Sequence, residues 1–325
     1  MLITRRSLLL ATTATAAAAM ASRVFAAAPP LAKKDTYKVG FAQTESNNPW
    51  RLAQTASMQS EAQTRGWQLV YTDAAGSAAK QVADVNSMIA QGVDLIFLAP
   101  REEKPLIPAI MAAKGAGIPV ILLDRSVDQS LAKPGEDYVT FIGSNFVEEG
   151  QRVAEYLIGL AGDKKIIIEL EGTTGSSPAN DRKKGFDDVI AQHSDYTIVA
   201  SQSGDFARDK GRQVAETLLQ AHPDANVIYA HNDEMAIGAI AALESAGKVA
   251  GQDVLVFSID GGKEAVQLVV DGKIAAVVEC NPRFGPKAFD TALAYAAGEA
   301  IPAVILNPDE MYTPENAAQL LASAY

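Results

Sequence analysis

The sequence predicts an α/β protein built from two similar open parallel-sheet (Rossmann-like) domains. Short runs of β-branched and aliphatic residues alternate with stretches in which apolar residues recur at helical spacing. This alternation indicates right-handed βαβ units and a parallel sheet. The same pattern begins a second time near residue 164. A chain of 325 residues also exceeds the usual size of one hydrophobic core, so two domains are expected.

The first half of the chain contains five predicted strands. In order they are "YKVGFAQ", "WQLVYTD", "VDLIFLAP", "IPVILLD" and "YVTFIGS". The stretches "RLAQTASMQSEAQTRG" and "QVADVNSMIAQG" follow the first two strands and predict helices. Most of the strand runs are apolar throughout, which is typical of a sheet covered on both faces.

The second half repeats this rhythm with the strands "KKIIIELEG", "YTIVASQSG", "NVIYAHN", "VLVFSID" and "IAAVVECN". Between them lie the predicted helices "DRKKGFDDVIAQH", "ARDKGRQVAETLLQAH" and "DEMAIGAIAALESAG". The glycine-rich "GTTGSS" is expected to be a strand-to-helix turn. No low-complexity linker separates the two halves.

Residues 1–26 are expected to be an export signal. They combine the paired Arg5 and Arg6, an alanine-rich apolar stretch and the ending Val24-Phe25-Ala26, which fits cleavage after small residues. The apolar stretch is too short for a membrane anchor, which needs about 20 apolar residues. The paired arginines resemble a twin-arginine signal, and ordinary Sec export is the alternative. The predicted location is the periplasm, and no membrane-embedded segment is expected.

The composition argues against a nucleic-acid partner. Without residues 1–26, the chain has 25 basic and 39 acidic residues, a formal charge of −14. Such a surface repels phosphates. The only cysteine is Cys280, so an internal disulfide is excluded, and this residue is expected to be a small buried apolar group.

Polar and aromatic residues follow the predicted strands in both halves. Ligands of open parallel sheets bind outside the carboxyl ends of the strands. Asp, Asn and Arg offer coplanar hydrogen-bonding positions that suit adjacent hydroxyls of a sugar, and aromatic rings suit its C–H faces. The segments at these ends are Asn48-Pro49-Trp50-Arg51, Asp124-Arg125, Asn180-Asp181-Arg182, Asp205-Phe206, Asn232-Asp233 and Asp260-Gly261.

Structural roles are the alternative for each of these residues. Asp124 and Arg125 would then form a surface ion pair. Asn232 and Asp260 would cap helices. Trp50 would belong to the core. The recurrence of such residues at strand ends in both halves favours a site.

Enzymatic and metal-binding readings have weaker support. The carboxylates Asp124, Asp181, Asp205 and Asp260 would allow an acid/base pair for glycoside hydrolysis, yet each also suits a hydroxyl ligand. No G-x-G-x-x-G motif follows an early strand, which argues against a dehydrogenase. The histidines His193, His222 and His231 are scattered. We therefore expect no catalytic residue, no cofactor and no metal.

Residues 36 to about 320 resemble a periplasmic sugar-binding protein of the ribose-binding type, the receptor of an ABC importer. The resemblance rests on "NNPWR", "AQGVDLIFLAP", "IPVILLDR", "DRKKGF", "SQSGDF", "AHNDEMAIGA" and "SIDG", in that order. It implies the type I periplasmic binding protein fold with three hinge crossovers, a monosaccharide ligand and permease subunits as partners. A monomer is expected.

The resemblance also implies which residues bind the sugar. Asn48, Trp50, Asp124 and Arg125 would lie on one side of the cleft, and Arg182, Phe206, Asn232 and Asp260 on the other. Two departures from the ribose-binding pattern stand out. Arg51 replaces a second aromatic residue, and Cys280 replaces a hydrogen-bonding glutamine, whose hydrogen bond would be absent or pass to Glu279 or Asn281. With "ELEGTTGSS" and "YAHNDEM", the Trp50-Arg51 pair most resembles the galactofuranose-binding branch.

The crossovers implied by the resemblance divide the chain into two domains. The N-terminal domain would comprise residues 35–144 and 281–309, and the C-terminal domain residues 145–280 and 310–325. Closure of the hinge would bury the sugar and create the surface that the importer recognises. The fold also occurs in lac-repressor-type regulators, but an export signal stands where their DNA-binding segment would be. A chemotaxis receptor, or a receptor for a furanosyl autoinducer, is the alternative function.

Overall fold

The computed structural model describes residues 27–160 and 164–325. The predicted export signal, residues 1–26, lies outside them. Within this part of the chain, two six-stranded sheets are each covered by helices, which confirms the predicted fold class. No helix of the described residues is long and apolar enough to cross a membrane.

The first sheet has the strand order β11-β5-β4-β3-β1-β2, and all its strands are parallel. Helices α1–α3 and α9 pack with it, and together they form what we call the N-lobe. The strands are β1 (Lys38–Gln43), β2 (Gln68–Asp73), β3 (Leu95–Leu98), β4 (Val120–Leu123), β5 (Thr140–Gly143) and β11 (Val304–Leu306). The helices are α1 (Pro49–Arg65), α2 (Ala78–Ala90), α3 (Ile107–Gly115) and α9 (Gly285–Ala296).

The second sheet has the order β12-β10-β9-β8-β6-β7, with β12 antiparallel to β10 and the other strands parallel. With helices α4–α8 and α10 it forms the C-lobe. The strands are β6 (Lys165–Glu171), β7 (Tyr196–Ser203), β8 (Val227–Ala230), β9 (Leu255–Asp260), β10 (Ala276–Glu279) and β12 (Met311–Tyr312). The helices are α4 (Phe146–Gly159), α5 (Ser177–Ile190), α6 (Arg208–Ala221), α7 (Asp233–Ser245), α8 (Lys263–Val270) and α10 (Ala317–Leu320).

The central strands are buried on both faces, as their continuous apolar sequences require. Every residue of β3, β4 and β8 is buried. The edge strand β7 is half-exposed and correspondingly carries Thr197, Ser201 and Gln202 among its apolar residues. Because all strands except β12 run parallel, their carboxyl ends lie at one edge of each sheet.

The chain passes between the two sheets three times. It leaves the first sheet after β5, returns after β10, and crosses again between β11 and β12. Loops at the carboxyl ends of the strands meet where the lobes face each other. The backbone N–H of Glu103 donates to Gly175 O at 3.0 Å, and Ser126 N–H donates to the Ser177 hydroxyl at 2.8 Å. The lobes are thus in direct contact across the cleft.

Candidate functional site

The start of helix α1 builds one wall of a cavity between the lobes. Asn48 is the N-cap residue: its Oδ1 accepts from Arg51 N–H at 2.9 Å, and Pro49 occupies the first turn. This cap fixes Trp50 and Arg51 in the first turn of the helix. The Trp50 indole N–H donates to Cys280 O at 2.7 Å, and the Arg51 guanidinium carbon lies 4.6 Å from the Trp50 ring centroid.

The residues after β4 complete the N-lobe wall. Asp124 has a φ of 63°, a left-handed conformation that turns the chain sharply at the strand end. Its Oδ2 lies 2.7 Å from Arg51 Nη1. Arg125 donates from Nη1 to Arg101 O at 2.9 Å and lies 3.5 Å from Glu45 Oε1 through Nη2. Both residues are buried, so the predicted alternative of a surface ion pair does not hold.

Arg125 is the most enclosed charge of this wall, with 2% of its surface exposed. Burial and then repulsion by Arg51 lower the pKa of Arg125 to about 10, against the opposing effect of Glu45. The group therefore stays charged at neutral pH. Its buried Nε has no hydrogen-bond partner among residues 27–160 and 164–325. An unsatisfied buried donor is costly, so this atom favours a ligand acceptor.

Arg182, in the first turns of α5, is the centre of the C-lobe wall. Its Nε donates to Glu149 Oε2 at 2.7 Å, Nη1 donates to His231 O at 2.6 Å, and Nη2 lies 3.6 Å from Asp260 Oδ1. These partners lie in α4, directly after β8 and at the end of β9, so three segments of the chain fix one guanidinium plane. The planar fork of arginine is thereby oriented before any ligand enters.

Phe206 presents an aromatic ring between the guanidinium groups of the two lobes. Its ring centroid lies 5.5 Å from Arg125 Cζ and 5.8 Å from Arg182 Cζ. Asp205 and Phe206 both have a φ of 57°, which is strained for a bulky residue. Gly172 makes this placement possible, because a Cβ there would stand 2.0 Å from Phe206 Cζ.

Asn232 lies two residues after β8, and Asp260 is the last residue of β9. Asn232 Oδ1 caps α7 by accepting from Met235 N–H at 3.1 Å, and its Nδ2 donates to Phe206 O at 3.3 Å. The alternative role of helix cap therefore holds for Asn232, which lines the cavity as well, but not for Asp260, since α8 begins after Gly262. Asp260 has a φ of 132°. Burial raises its pKa well above the usual range, although Arg182 opposes this effect.

His231 has a structural position behind this wall. Its Nε2 lies 2.9 Å from Glu169 Oε1, and its Nδ1 accepts from Gly172 N–H at 3.3 Å, which places a proton on Nε2. Burial raises the pKa of Glu169, but hydrogen bonds from His231, Lys183 and Ser201 outweigh it and lower the value to about 2. Within the described ranges, no group of three or more His, Cys, Asp or Glu side chains could hold a metal ion.

The residues of the two walls line a small cavity with about 320 Å³ of space between their atoms, part of which is open to solvent. The lining includes nine of the eleven residues predicted from the sequence. It consists of Asn48, Trp50, Arg51, Asp124, Arg125, Pro178, Arg182, Phe206, Asn232, Asp260 and Cys280. Pro178 and Cys280 were not among the predicted site residues; Pro178 lies in the first turn of α5, and Cys280 directly follows β10.

Glu279 and Asn281 do not line the cavity. Glu279 Oε2 accepts from Glu310 N–H at 3.1 Å, and its Oε1 lies 3.3 Å from Asn281 Nδ2 and 3.4 Å from the Tyr312 hydroxyl. Both side chains are thus engaged where the chain crosses between the lobes. Neither of them supplies the hydrogen bond that the ribose-binding pattern has at the position of Cys280.

Each guanidinium of the cavity lies near a carboxylate. Arg51 is near Asp124, Arg125 near Glu45, and Arg182 near Glu149. Glu45 and Glu149 stand behind the lining, and sequence reasoning missed both. Glu149 lies within α4, whereas Glu45 follows β1 by two residues and carried the strand-end signal that could have found it. Because each of these guanidinium groups is paired with a carboxylate, the cavity has no excess charge that would attract an ion. The remaining planar N–H donors suit a neutral polyhydroxylated ligand.

Two lobes of parallel sheet that face each other across a polar cavity define a two-lobed solute-binding protein. The chain belongs to the periplasmic binding proteins, because the family model of the periplasmic binding protein domain matches residues 39–300. The resemblance inferred from the sequence is therefore confirmed. The proteins to which the chain is similar are binding proteins, and the chain is accordingly not an enzyme.

Individual relatives support the same assignment. The chain is 38% identical to the galactofuranose-binding protein YtfQ of Escherichia coli over 92% of this chain and 95% of that protein. A Mycobacterium smegmatis structure in complex with β-D-fucofuranose is 40% identical, with a TM-score of 0.84, over 88% of this chain and 94% of the other. The binding protein of a Shewanella arabinose ABC transporter, bound to α- and β-L-arabinofuranose, is 37% identical, with a TM-score of 0.83, over 88% and 95%.

Proposed function

We propose that this protein is the periplasmic substrate-binding component of a sugar ABC importer. It binds one monosaccharide in its closed form, with a galactofuranose-like hexose favoured, and delivers it to permease subunits. The single observation that carries this proposal is the cavity itself. An aromatic ring from each lobe, Trp50 and Phe206, stands among oriented guanidinium, amide and carboxylate groups.

A furanose ring is favoured over a pyranose by two arguments. The three relatives compared above are named for, or were solved with, galactofuranose, fucofuranose or arabinofuranose. In this chain Arg51 stands beside Trp50, so one end of the cavity offers guanidinium donors where the ribose-binding pattern has a second ring. Such donors suit the hydroxyls of an exocyclic side arm.

The two lobes are the two domains of this proposal. The boundaries are 35–144 with 281–309 for the first and 145–280 with 310–325 for the second. Residues 1–26 direct export to the periplasm, and the mature protein acts as a monomer. Because a ligand touches both lobes only when they are closed, its binding shifts the population toward the closed form that the permease recognises.

Isothermal titration of the mature protein with D-galactose, D-fucose, L-arabinose, D-ribose and D-glucose tests the proposal. The ring form is read from the carbon-13 resonance of C1-labelled galactose bound to the protein. We expect saturable binding of galactose and a furanose resonance. A pyranose resonance would refute the furanose assignment, and binding of an amino acid or anion with no response to any sugar would refute the sugar assignment.

A further inference from the structure

The third crossover, between β11 and β12, changes lobes within two residues. Asn307 N–H donates to Gly143 O at 2.8 Å, and Lys287 Nζ donates to Asn307 Oδ1 at 2.6 Å, so Asn307 belongs to the N-lobe. Glu310 O accepts from Glu279 N–H at 2.9 Å, so Glu310 belongs to the C-lobe. Only residues 308 and 309 lie between these fixed points, and a change of angle between the lobes must be absorbed there.

The other two crossovers are shorter still. Cys280 N–H donates to Asp260 O of the C-lobe at 2.9 Å, while Cys280 O accepts from the Trp50 indole of the N-lobe at 2.7 Å. The second crossover therefore changes lobes within one residue. In the first crossover, Ser144 alone separates the end of β5 from Asn145, the N-cap of α4.

These three turning points contact one another. The Ser144 hydroxyl lies 3.6 Å from Cys280 Sγ, which joins the first crossover to the second. Asp309 Oδ1 accepts from Asn281 N–H at 3.2 Å, which joins the third crossover to the second. Arg152 Nη1 of α4 donates to Asp309 O at 2.7 Å. Asp309 is thus bonded to the chain on both sides of the hinge.

We propose that Asp309 is a positioning residue that fastens the second and third crossovers together and favours the closed arrangement of the lobes. It does not line the cavity and acts through Asn281 on the neighbouring Cys280. Cys280 lines the cavity and accepts from Trp50, so the hinge and the cavity wall share one residue. The consequence for sugar affinity rests on the proposed function, whereas the effect on lobe closure does not.

The surroundings of Asp309 make this contact sensitive to pH. Burial and then repulsion by Glu149 raise the pKa of Asp309 to about 7, while hydrogen bonds from Ser144 and Asn281 oppose the shift. Glu148, Glu149 and Arg152 of α4 and Glu279 of β10 are the charged side chains nearby. Opening admits water and returns the pKa toward its ordinary value. The closed form therefore binds the proton more tightly and gains population as the pH falls through about 7.

Cys280 supplies a readout that needs no sugar. It is the only cysteine of the chain and is 1% exposed, and burial raises the pKa of its thiol. A disulfide reagent such as dithionitrobenzoate therefore reaches it only after the lobes open. The labelling rate of the sugar-free mature protein depends on the fraction of open molecules and on the thiolate fraction. Besides burial, the charge of Asp309 contributes to the raised pKa of the thiol, so rates are compared per thiolate, with the thiol pKa of each protein read from the pH profile of its labelling.

Near pH 6, where Asp309 is mostly protonated, Asp309→Ala should raise the labelling rate about fivefold, as expected for the removal of one hydrogen bond. Asp309→Asn keeps an Oδ1 acceptor but has no titrating group. Its rate should stay within about twofold of wild type near pH 6 and fall below wild type near pH 8, because the ionised carboxylate no longer opposes closure. Glu310→Ala is the matched control, since the exposed Glu310 side chain makes no hydrogen bond within the part of the chain that the structure describes, and its rate should not change.

Two results would overturn this role. One is an Asp309→Ala protein that unfolds at the wild-type temperature and labels at the wild-type rate. The other is an Asp309→Asn protein whose rate ratio to wild type is the same at both pH values, and this measurement decides the question even if the alanine variant does not fold. If added sugar leaves labelling unchanged while the Asp309 effects are present, the sugar proposal fails and the hinge role stands.

Discussion

Arg51 and Asp124 form a buried ion pair in the cavity wall, with 2.7 Å between Nη1 and Oδ2. The first residue lies in the first turn of α1 and the second at the end of β4, so the pair joins two elements of the N-lobe. Gln54 accepts from the same Nη1 at 3.0 Å. The guanidinium is therefore fixed by its own lobe before closure, and its remaining donors are available to a ligand.

Replacing Arg51 by methionine should weaken sugar binding about a hundredfold, because a buried charge partner and oriented donors are removed together. Asp124 would remain buried without its partner, so the free energy of unfolding should fall by about 3 kcal/mol. Titration calorimetry and thermal unfolding measure the two effects. Arg65→Met is the matched control, since Arg65 lies on the same helix and pairs with Glu61 and Asp290 at the surface. Equal sugar affinity in the two variants would contradict the assignment.

Trp50 should report ligand binding by a change in its fluorescence. The chain has two tryptophans; Trp67 packs in the N-lobe between Tyr37 and Phe289, and only Trp50 lines the cavity. A sugar that covers the Trp50 ring changes its solvent contact and leaves Trp67 unaffected. Titration of Trp67→Phe should retain the fluorescence change, and titration of Trp50→Phe should abolish it. Persistence of the change in the Trp50 variant would remove this residue from the site.

The sequence predicts the fold and most of the cavity lining for one physical reason. Buried parallel strands are recognised by their apolar runs, and their carboxyl ends converge on one edge of the sheet. The interpretation of residues 279–281 shows the limit of this reasoning. Cys280 follows the end of β10 and lines the cavity, whereas the side chains of Glu279 and Asn281 bond to each other within the crossover. The position of a residue at a strand end does not tell which of three successive side chains faces the cavity.

The role of Glu149, which stands behind the lining, could not be predicted from strand ends. Glu149 lies in the first turn of α4, where an acidic residue is ordinarily explained by the helix dipole. Its burial depends on Arg182 from α5, which packs against α4. Gly150 and Gly185 permit this close packing, since a Cβ at Gly185 would lie 2.0 Å from Val147 O. Such a pairing depends on tertiary packing, which residue spacing in one chain does not encode.

Gly172→Ala should weaken ligand binding about tenfold while leaving most of the fold intact. The added Cβ would stand 2.0 Å from Phe206 Cζ, so the ring must leave its position between Arg125 and Arg182. Loss of an aromatic contact and of ring orientation has about this cost. Gly115→Ala is the matched control, because a Cβ there would meet no atom within 4 Å. Titration calorimetry of both variants measures the effect, and unchanged affinity in the Gly172 variant would mean that Phe206 does not contact the ligand.

Sugar affinity should rise as the pH falls below neutrality, because closure brings carboxyl groups of the two lobes together. Burial and then the charge of Asp181 raise the pKa of Glu103, and burial raises the pKa of Asp181. Glu103 belongs to the N-lobe and Asp181 to α5 of the C-lobe, so opening solvates both groups. Since both pKa values are higher in the closed form, that form binds more protons. The repulsion and desolvation that oppose closure act in full at pH values above the pKa values of the closed form. They disappear at pH values below the pKa values of the open form, where both carboxyl groups are protonated.

Glu103→Gln isolates this contribution. The amide oxygen can still accept from Asn180 Nδ2, which now donates to Glu103 Oε2 at 3.2 Å, but the repulsion of Asp181 is removed. At neutral pH the variant should bind sugar about threefold more tightly than wild type, and its affinity should vary less with pH. Glu244→Gln, at an exposed residue paired with Lys273, is the control and should follow the wild-type profile. Calorimetry between about pH 5 and about pH 8 measures the difference, and parallel profiles for Glu103→Gln and wild type would refute the coupling between these carboxyls and closure.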